Sequence, residues 1–304
     1  MVVIRAVPTG RSITSTCAAR AALAGNPSDG YGGAVVALPI TDLRAMSSAT
    51  EADGFGVAAS DRDLHRLLTA TSEGFAEARG ALPSITLGAS TSIPRSVGLA
   101  GSSALIIAAL RAMAEWTGHK WSIIELAELA LSIERDRLGI EAGLQDRLVQ
   151  AADRTVSMTF DPVGFRPIEA STDFPLFVAW LPGAARPSDT VHRSLRRRYD
   201  AGDPSVIAAM TALAQQADRA ASAIDEGDVE ALGGAMNASF DIRAAVIDIE
   251  APQRQLIDVG RGHGAATNSA GSGGSVVGMV RAPERLEPVE AAYRAVGAEF
   301  LSLL

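Results

Sequence analysis

Apolar positions along the chain shift between alternation and the three-and-four spacing of helices, and these shifts set out the elements. Residues 35–40 and 84–93 read as strands, the second alternating Ile85, Leu87, Ala89, Thr91 and Ile93 with smaller or polar neighbours. Residues 64–79 read as a helix with Leu64, Leu67, Leu68 and Phe75 on one side and Gly80 ending it. A second helix over 102–116 carries a core stripe of Leu105, Ala108, Ala109, Ala112 and Trp116, and Gly118 stops it. Ser122 and Glu125 form a capping box for a helix reaching about Arg137. Gly139 and Gly143 then break the path before another helix over 144–152.

Past Asp153 the pattern restarts. Strands are expected at 155–160, 176–181 and 275–280, helices within 204–225, 228–247 and 252–261, and a final helix at 284–296. The class is α+β without an internal repeat, and a boundary near Gly164 divides it into domains 1–164 and 165–304.

Composition is that of a globular chain: 304 residues, 47% hydrophobic and 20% charged. A net charge of -8 gives no electrostatic reason to expect nucleic acid or an anionic membrane as partner, and the dense basic run 193–198 is local. No apolar run reaches the roughly 18 residues of a membrane span. Cys17, the only cysteine, excludes an intrachain disulfide and reads as packing, so a reducing, cytoplasmic setting is expected. The acid-free first twenty residues resemble a transit peptide, but their strand-like pattern runs on into Arg20, which favours a structural role.

Four segments carry candidate chemistry. The loop from Pro94 to Ala104 (Pro94, Arg95, Ser96, Val97, Gly98, Leu99, Ala100, Gly101, Ser102, Ser103, Ala104) lies between a strand and a helix, where backbone N–H groups and the helix dipole favour phosphate. A tight turn with a serine N-cap has the same pattern. Lys120, the only lysine, lies away from this loop, so a Walker loop and a protein-kinase site are both excluded unless arginine substitutes. The second segment runs from Arg20 through Asn26, Ser28, Asp29, Gly30 and Tyr31 to Gly33; it suits a polyhydroxy ligand and equally a β-turn. The third, from Glu134 to Asp146, places carboxylates as phosphoryl transfer needs them, although helix surfaces carry such acids routinely. The fourth, from Gly264 to Val277, closes over phosphates or forms a plain hairpin.

In this order, the four segments resemble the GHMP kinases, the family of galactokinase, homoserine kinase, mevalonate kinase and phosphomevalonate kinase. Pro94, Gly98, Leu99 and Gly101 to Ala104 resemble the family's phosphate loop with one extra residue, and Gly264 to Val277 its glycine-rich third motif. Gly25 to Asp29, Ile93 to Arg95, Leu138 to Arg147, Pro187 to Asp189, Phe240 to Arg243 and Gly271 to Gly274 are similar to the wording of plant-type glucuronokinases. Asn268, Ser269 and Ala270 depart from that group, as do Ala151 and Ala152.

The resemblance implies a two-domain GHMP kinase fold. Its N-terminal half would be a ribosomal-S5-like α/β domain with a left-handed βαβ crossover, its C-terminal half a ferredoxin-like α+β domain, with the active site in the cleft between them. It implies Asp146 as catalytic base beside Arg20, Ser103 and Glu134 as magnesium ligands, and ATP held by the phosphate loop with Gly271, Ser272 and Gly273. Asn26, Ser28, Asp29, Gly30 and Tyr31 fall on the sugar-binding segment, and Glu141 competes with Glu134 from a more solvated position. The expected reaction is ATP- and magnesium-dependent phosphorylation of a sugar's anomeric hydroxyl, first of all glucuronate. A sugar carboxylate would then need a cation, sought first among Arg193, Arg196 and Arg197. Alternatives are a heptose, galactose or mevalonate kinase, or a catalytically silent ligand sensor. A small sugar or sugar acid is the expected partner, and the chain a monomer or homodimer.

Overall fold

Small and β-branched residues in the run Ser12–Ala24 favour an extended chain, and they form β1, buried from Cys17 onward. The structure, a computed structural model, describes residues 10–169, 173–183 and 189–303. Pro187 and Ser188 of the glucuronokinase-like wording, and the first nine residues of the leader-like stretch, lie outside the described residues.

β1 pairs antiparallel with the long β2 (Val35–Glu51), and the register shifts between Ala18 and Ala19, immediately before Arg20. Such an irregularity re-aims the side chains that follow it. β3 (Gly56–Ala58), α1 (Arg62–Arg79) and β4 (Ile85–Thr91) make a βαβ unit, since β3 and β4 run parallel. β4 joins the far half of β2. The first sheet is completed by β5 (Val156–Phe160), on the near half of β2, and β6 (Val163–Pro167). β6 pairs with β5 through Pro167, so the first sheet continues past Gly164, where the sequence suggested a boundary.

Three helices sit between β4 and β5. α2 (Gly101–Thr117) packs on β1 and β2 through Ile106, Ala109, Leu110 and Met113, all fully buried. α3 (Ile123–Ser132) begins with the expected capping box between Ser122 and Glu125. The helix expected to reach Arg137 instead ends at Ser132 and gives way to a π-helical turn, Ile133–Arg137, before α4 (Leu144–Ala152). Turns of this kind are frequent at functional sites, and this one buries Glu134.

The second sheet contains β7 (Leu176–Trp180), which is followed by α5 (Asp189–Asp200), α6 (Pro204–Glu226), α7 (Val229–Val246) and α8 (Ala251–Gly262). Then come β8 (Ala266–Ser269), β9 (Ser275–Met279), α9 (Leu286–Ala295) and β10 (Glu299–Ser302). Its order is β10-β7-β9-β8, every pairing antiparallel, which is the ferredoxin-like arrangement. One core runs through both halves, joining Val35, Leu110 and Val156 to Ala217, Leu232 and Val277. A second core surrounds Phe177, Tyr293 and Phe300; the two phenylalanine rings stack and Tyr293 packs tilted against both.

The Phe177 ring lies directly against Gly278 on β9, where a Cβ would overlap it. Phe177 is held on its other faces by Tyr293 and Phe300 and has no room to yield. Gly278→Ala is therefore expected to lower stability by about 1–3 kcal/mol, the usual cost of overpacking, as a lower urea midpoint.

Candidate active site

Between β4 and α2 the backbone takes three left-handed turns, at Ser96 (φ 58°), Gly98 (φ 77°) and Ala100 (φ 60°). For serine and alanine this conformation costs roughly 1–2 kcal/mol each, strain of the kind stored where a ligand is gripped. Ala100 stands at the N-cap of α2, and no side chain among the described residues caps the helix. The serine-cap alternative is thereby corrected: the helix starts at Gly101, and the Ser103 hydroxyl donates instead to Gln150 Oε1 at 2.6 Å. Ser102 Oγ is buried without a hydrogen-bond partner among the described residues. Gly101, Ser102 and Ser103 line a cleft of about 1220 Å³, so the N–H groups and positive dipole end of a 17-residue helix open into it.

The third glycine-rich segment is the β8–β9 hairpin, and it meets this loop backbone to backbone. A Cβ on Gly98 would lie 2.5 Å from Gly273 O, and Gly271 abuts both Gly98 O and the Arg20 guanidinium. Arg20 ties the pieces together. Its Nε and Nη2 donate to the two Asp146 carboxylate oxygens at 2.5 and 2.6 Å, and its Nη1 to Gly98 O and Ala270 O at 2.8 and 2.9 Å.

From Asp146 the charges alternate onward. Arg147 Nη1 lies 3.4 Å from Asp146 Oδ2, and the same guanidinium pairs with Glu134 through Oε2. Glu134 and both arginines are almost wholly buried, while 16% of the Asp146 side chain remains open to the cavity. Gln150, one helical turn beyond Asp146, accepts a hydrogen bond from the Ser103 hydroxyl and donates to Ala18 O and Ala100 O at 3.0 Å, locking the start of α2 to β1.

Opposite Asp146 lies the segment after β1. Asp29 packs against Gly143, and its carboxyl is pushed up to about 6 by burial first and by the neighbouring Asp146 second. Gly30 and Tyr31 line the cavity beneath α5: Arg196 donates to Gly30 O and lies 4.4 Å over the Tyr31 ring. Arg193 and Arg197 line the same wall, and Arg197 makes no ion pair among the described residues. Arg243, on α7, also lines the cavity; it is buried, donates through Nη1 to Gly271 O at 2.9 Å, and has a partnerless Nε among the described residues.

Most expected residues therefore converge: Arg20, Asn26, Asp29, Gly30, Tyr31, Pro94, Ser96, Gly98 to Ser103, Glu134, Asp146, Arg193, Gly271 and Ser272 all border one cavity. Four others lie off its walls, namely Ser28, Arg95, Ala104 and Gly273. Ser28 is fully buried and its hydroxyl donates to Ala34 O at 2.8 Å, so it fastens its own turn. Arg95 points to solvent, pairing with Asp61 at 2.6 Å. Ala104 is core packing in α2, and Gly273 backs Gly98. Asn26 borders the cavity but is 1% exposed, its amide spent between Ser269 O and Asn268. Cys17, buried with its thiol pushed up to about 12 by desolvation, is packing as expected. Arg147, Gln150 and Arg243 escaped sequence reading as functional groups; their signal was only adjacency to quoted motifs.

Magnesium binds through one or two protein oxygens plus phosphate and water. The donor set here suits it. Both Arg147 contacts to Glu134 fall on Oε2, Ser103 donates its O–H to Gln150 and keeps its oxygen lone pairs, and Ser102 Oγ is unpartnered among the described residues. Among the described residues no group of three His, Cys, Asp or Glu could hold a metal alone, so phosphate oxygens would complete the shell. Glu141 is exposed, which leaves Glu134 as the enclosed carboxylate.

Two outcomes follow from this geometry. Gly98→Ala puts a side chain into the Gly273 carbonyl at φ 77°, and should cost about 1–3 kcal/mol on urea unfolding. Between pH 4 and 6 the folded chain keeps an Asp29 proton that the unfolded chain, with its carboxyl near 3.8, has lost. That stabilisation is present below pH 4 and gone above 6. Relative to Asp29→Asn, the wild-type urea midpoint should fall across that window and level off above it.

Residues 66–153 match the family model of the GHMP kinases N terminal domain. Over 209 residues the chain is 37% identical to probable glucuronokinase 2 of Arabidopsis thaliana, covering 63% of this chain and 56% of that protein. It thus spans little more than half the length of that plant relative. It is 25% identical to the D-glycero-alpha-D-manno-heptose 7-phosphate kinase of Campylobacter jejuni, covering 70% of this chain and 66% of that one. Its fold matches Streptococcus pneumoniae phosphomevalonate kinase, solved with phosphomevalonate and AMPPNP, with a TM-score of 0.81 at 14% identity over 95% of this chain and 99% of that one. Among the described residues no helix is long and apolar enough to cross a membrane. The chain therefore carries a GHMP kinases N-terminal domain over residues 66–153, and its two sheets have the two-domain GHMP kinase fold.

Proposed function

We propose that this chain is an ATP- and magnesium-dependent kinase for a sugar acid, acting on the anomeric hydroxyl, with glucuronate as first candidate and its 1-phosphate as product. The observation that carries this reading is the uncapped start of α2 opening on the same cavity as Asp146. One is a site for phosphate, the other a base beside it. The 37% identity to a probable glucuronokinase supports the acceptor class.

In this mechanism the N–H groups of Gly101, Ser102 and Ser103 hold the phosphate chain. Magnesium, held by Glu134 and Ser103, would offset charge on the β and γ phosphates. The acceptor hydroxyl oxygen forms a bond to the γ phosphorus, the bond to the bridging oxygen breaks, and ADP leaves. The hydroxyl proton passes to Asp146, whose carboxylate is held in plane by the bidentate Arg20. Asp29 hydrogen-bonds sugar hydroxyls from the opposite wall. Of the three α5 arginines that line the cavity, Arg196 is committed to Gly30, Tyr31 and Asp200, which leaves Arg193 and Arg197 for the sugar carboxylate, with Arg197 taken first because it makes no ion pair among the described residues. The basic wall would serve a phosphorylated heptose equally, and the Campylobacter relative gives that second acceptor its standing.

ADP release with magnesium ATP, measured across hexuronates, neutral hexoses and heptose phosphates, tests the reading. Turnover should be greatest with a hexuronate; sugar binding without turnover on any acceptor would turn it into a sensor. Asp146→Asn should lower kcat by about 10²–10⁴ with ATP affinity nearly unchanged. Arg197→Ala should raise KM for the uronate about tenfold and leave a neutral hexose unaffected.

A further inference from the structure

Arg20 is the residue one would first assign to the charge developing on a transferred phosphoryl group, yet its guanidinium is already spent. Every nitrogen is engaged, on Asp146, Gly98 O or Ala270 O. The neighbouring cation is the opposite case. Arg243 is 4% exposed, makes one hydrogen bond, through Nη1 to Gly271 O, and pairs with no carboxylate among the described residues. Its Nε is buried without a partner among the described residues. Burying a guanidinium without a counter-ion is costly, and a strut to one carbonyl needs neither the charge nor the fork of donors.

Its position says where the missing anion belongs. Gly271, which Arg243 holds, abuts both the Arg20 guanidinium and Gly98 O. Gly98 belongs to the loop that leads into the uncapped start of α2. Arg243 therefore holds the third loop where that loop meets both the Gly98 loop and Arg20, the partner of Asp146. Resting on the kinase reading above, we infer that Arg243 is the residue that contacts the terminal phosphate of the nucleotide and carries its charge during transfer. Arginine suits this because its planar fork matches phosphate oxygens in pairs. Burial, and then the nearby Arg20 charge, lower its guanidinium to about 10, with Asp29 opposing, so it remains charged at neutral pH.

The test is calorimetric titration of ATP and of ADP, each with magnesium, into the wild type, Arg243→Met and Arg243→Lys, with thermal melting of each. Neither titration needs the acceptor to be known. The wild type should favour ATP over ADP. Arg243→Met should reduce that preference at least tenfold with ADP affinity held within about twofold, and should melt no lower than the wild type. Arg243→Lys should recover part of the preference. An unchanged preference in Arg243→Met, equal loss of ATP and ADP, or failure of both variants to fold would overturn the inference by making Arg243 structural. A wild type that binds neither nucleotide would instead overturn the kinase reading itself; nucleotide binding with an indifferent Arg243 would overturn the inference alone.

Discussion

The bidentate contact between Arg20 and Asp146 is the constraint on which the cleft depends. Arg20 comes from β1, just after the register shift that turns it inward, and Asp146 comes from the first turn of α4. The remaining nitrogen of Arg20 reaches Gly98 O and Ala270 O, so one buried side chain fixes Asp146, the loop before α2 and the third loop relative to one another. Truncating Asp146 would leave the buried Arg20 guanidinium without its counter-ion, the costly case for ion pairs. Arg147 extends the network to Glu134, so a displacement at Asp146 is transmitted to the carboxylate that would meet the metal.

The same region concentrates features that do not favour folding. Ser96 and Ala100 are held in left-handed conformations, Ser102 and Arg243 keep buried polar atoms unpartnered among the described residues, and Asp29 and Asp146 face each other. The surrounding core is conventional, with fully buried aliphatic side chains on α2 and β2 and stacked rings under the second sheet. Well-packed layers thus hold a strained, under-satisfied cleft, and a triphosphate with its ion would relieve much of that frustration.

What was legible in the sequence follows from the range of the forces involved. α2 and its loop were readable because helical periodicity, glycines and serines are local signals, and Ser122 with Glu125 formed the capping box expected of them. Short strands such as β3, β6, β8 and β10 exist only through pairing, and their few residues carry no pattern of their own. The π-helical turn at Glu134 was hidden for the same reason, since its residues continue a helical pattern. Within the site, ligand-like composition was misleading at Ser28 and Arg95, a turn fastener and a surface ion pair. Arg147, Gln150 and Arg243 owe their importance to partners distant in the chain, which composition does not encode.

The central claim is spatial: one cleft holds nucleotide phosphates at the start of α2 and presents their far end to Asp146. A crystal structure of the chain with a non-hydrolysable ATP analogue and magnesium tests it most directly. The account predicts phosphate oxygens within hydrogen-bond distance of the Gly101 to Ser103 backbone N–H groups, and the terminal phosphate between Asp146 and Gly271. An analogue bound with its phosphates elsewhere, the α2 start left empty, would contradict it.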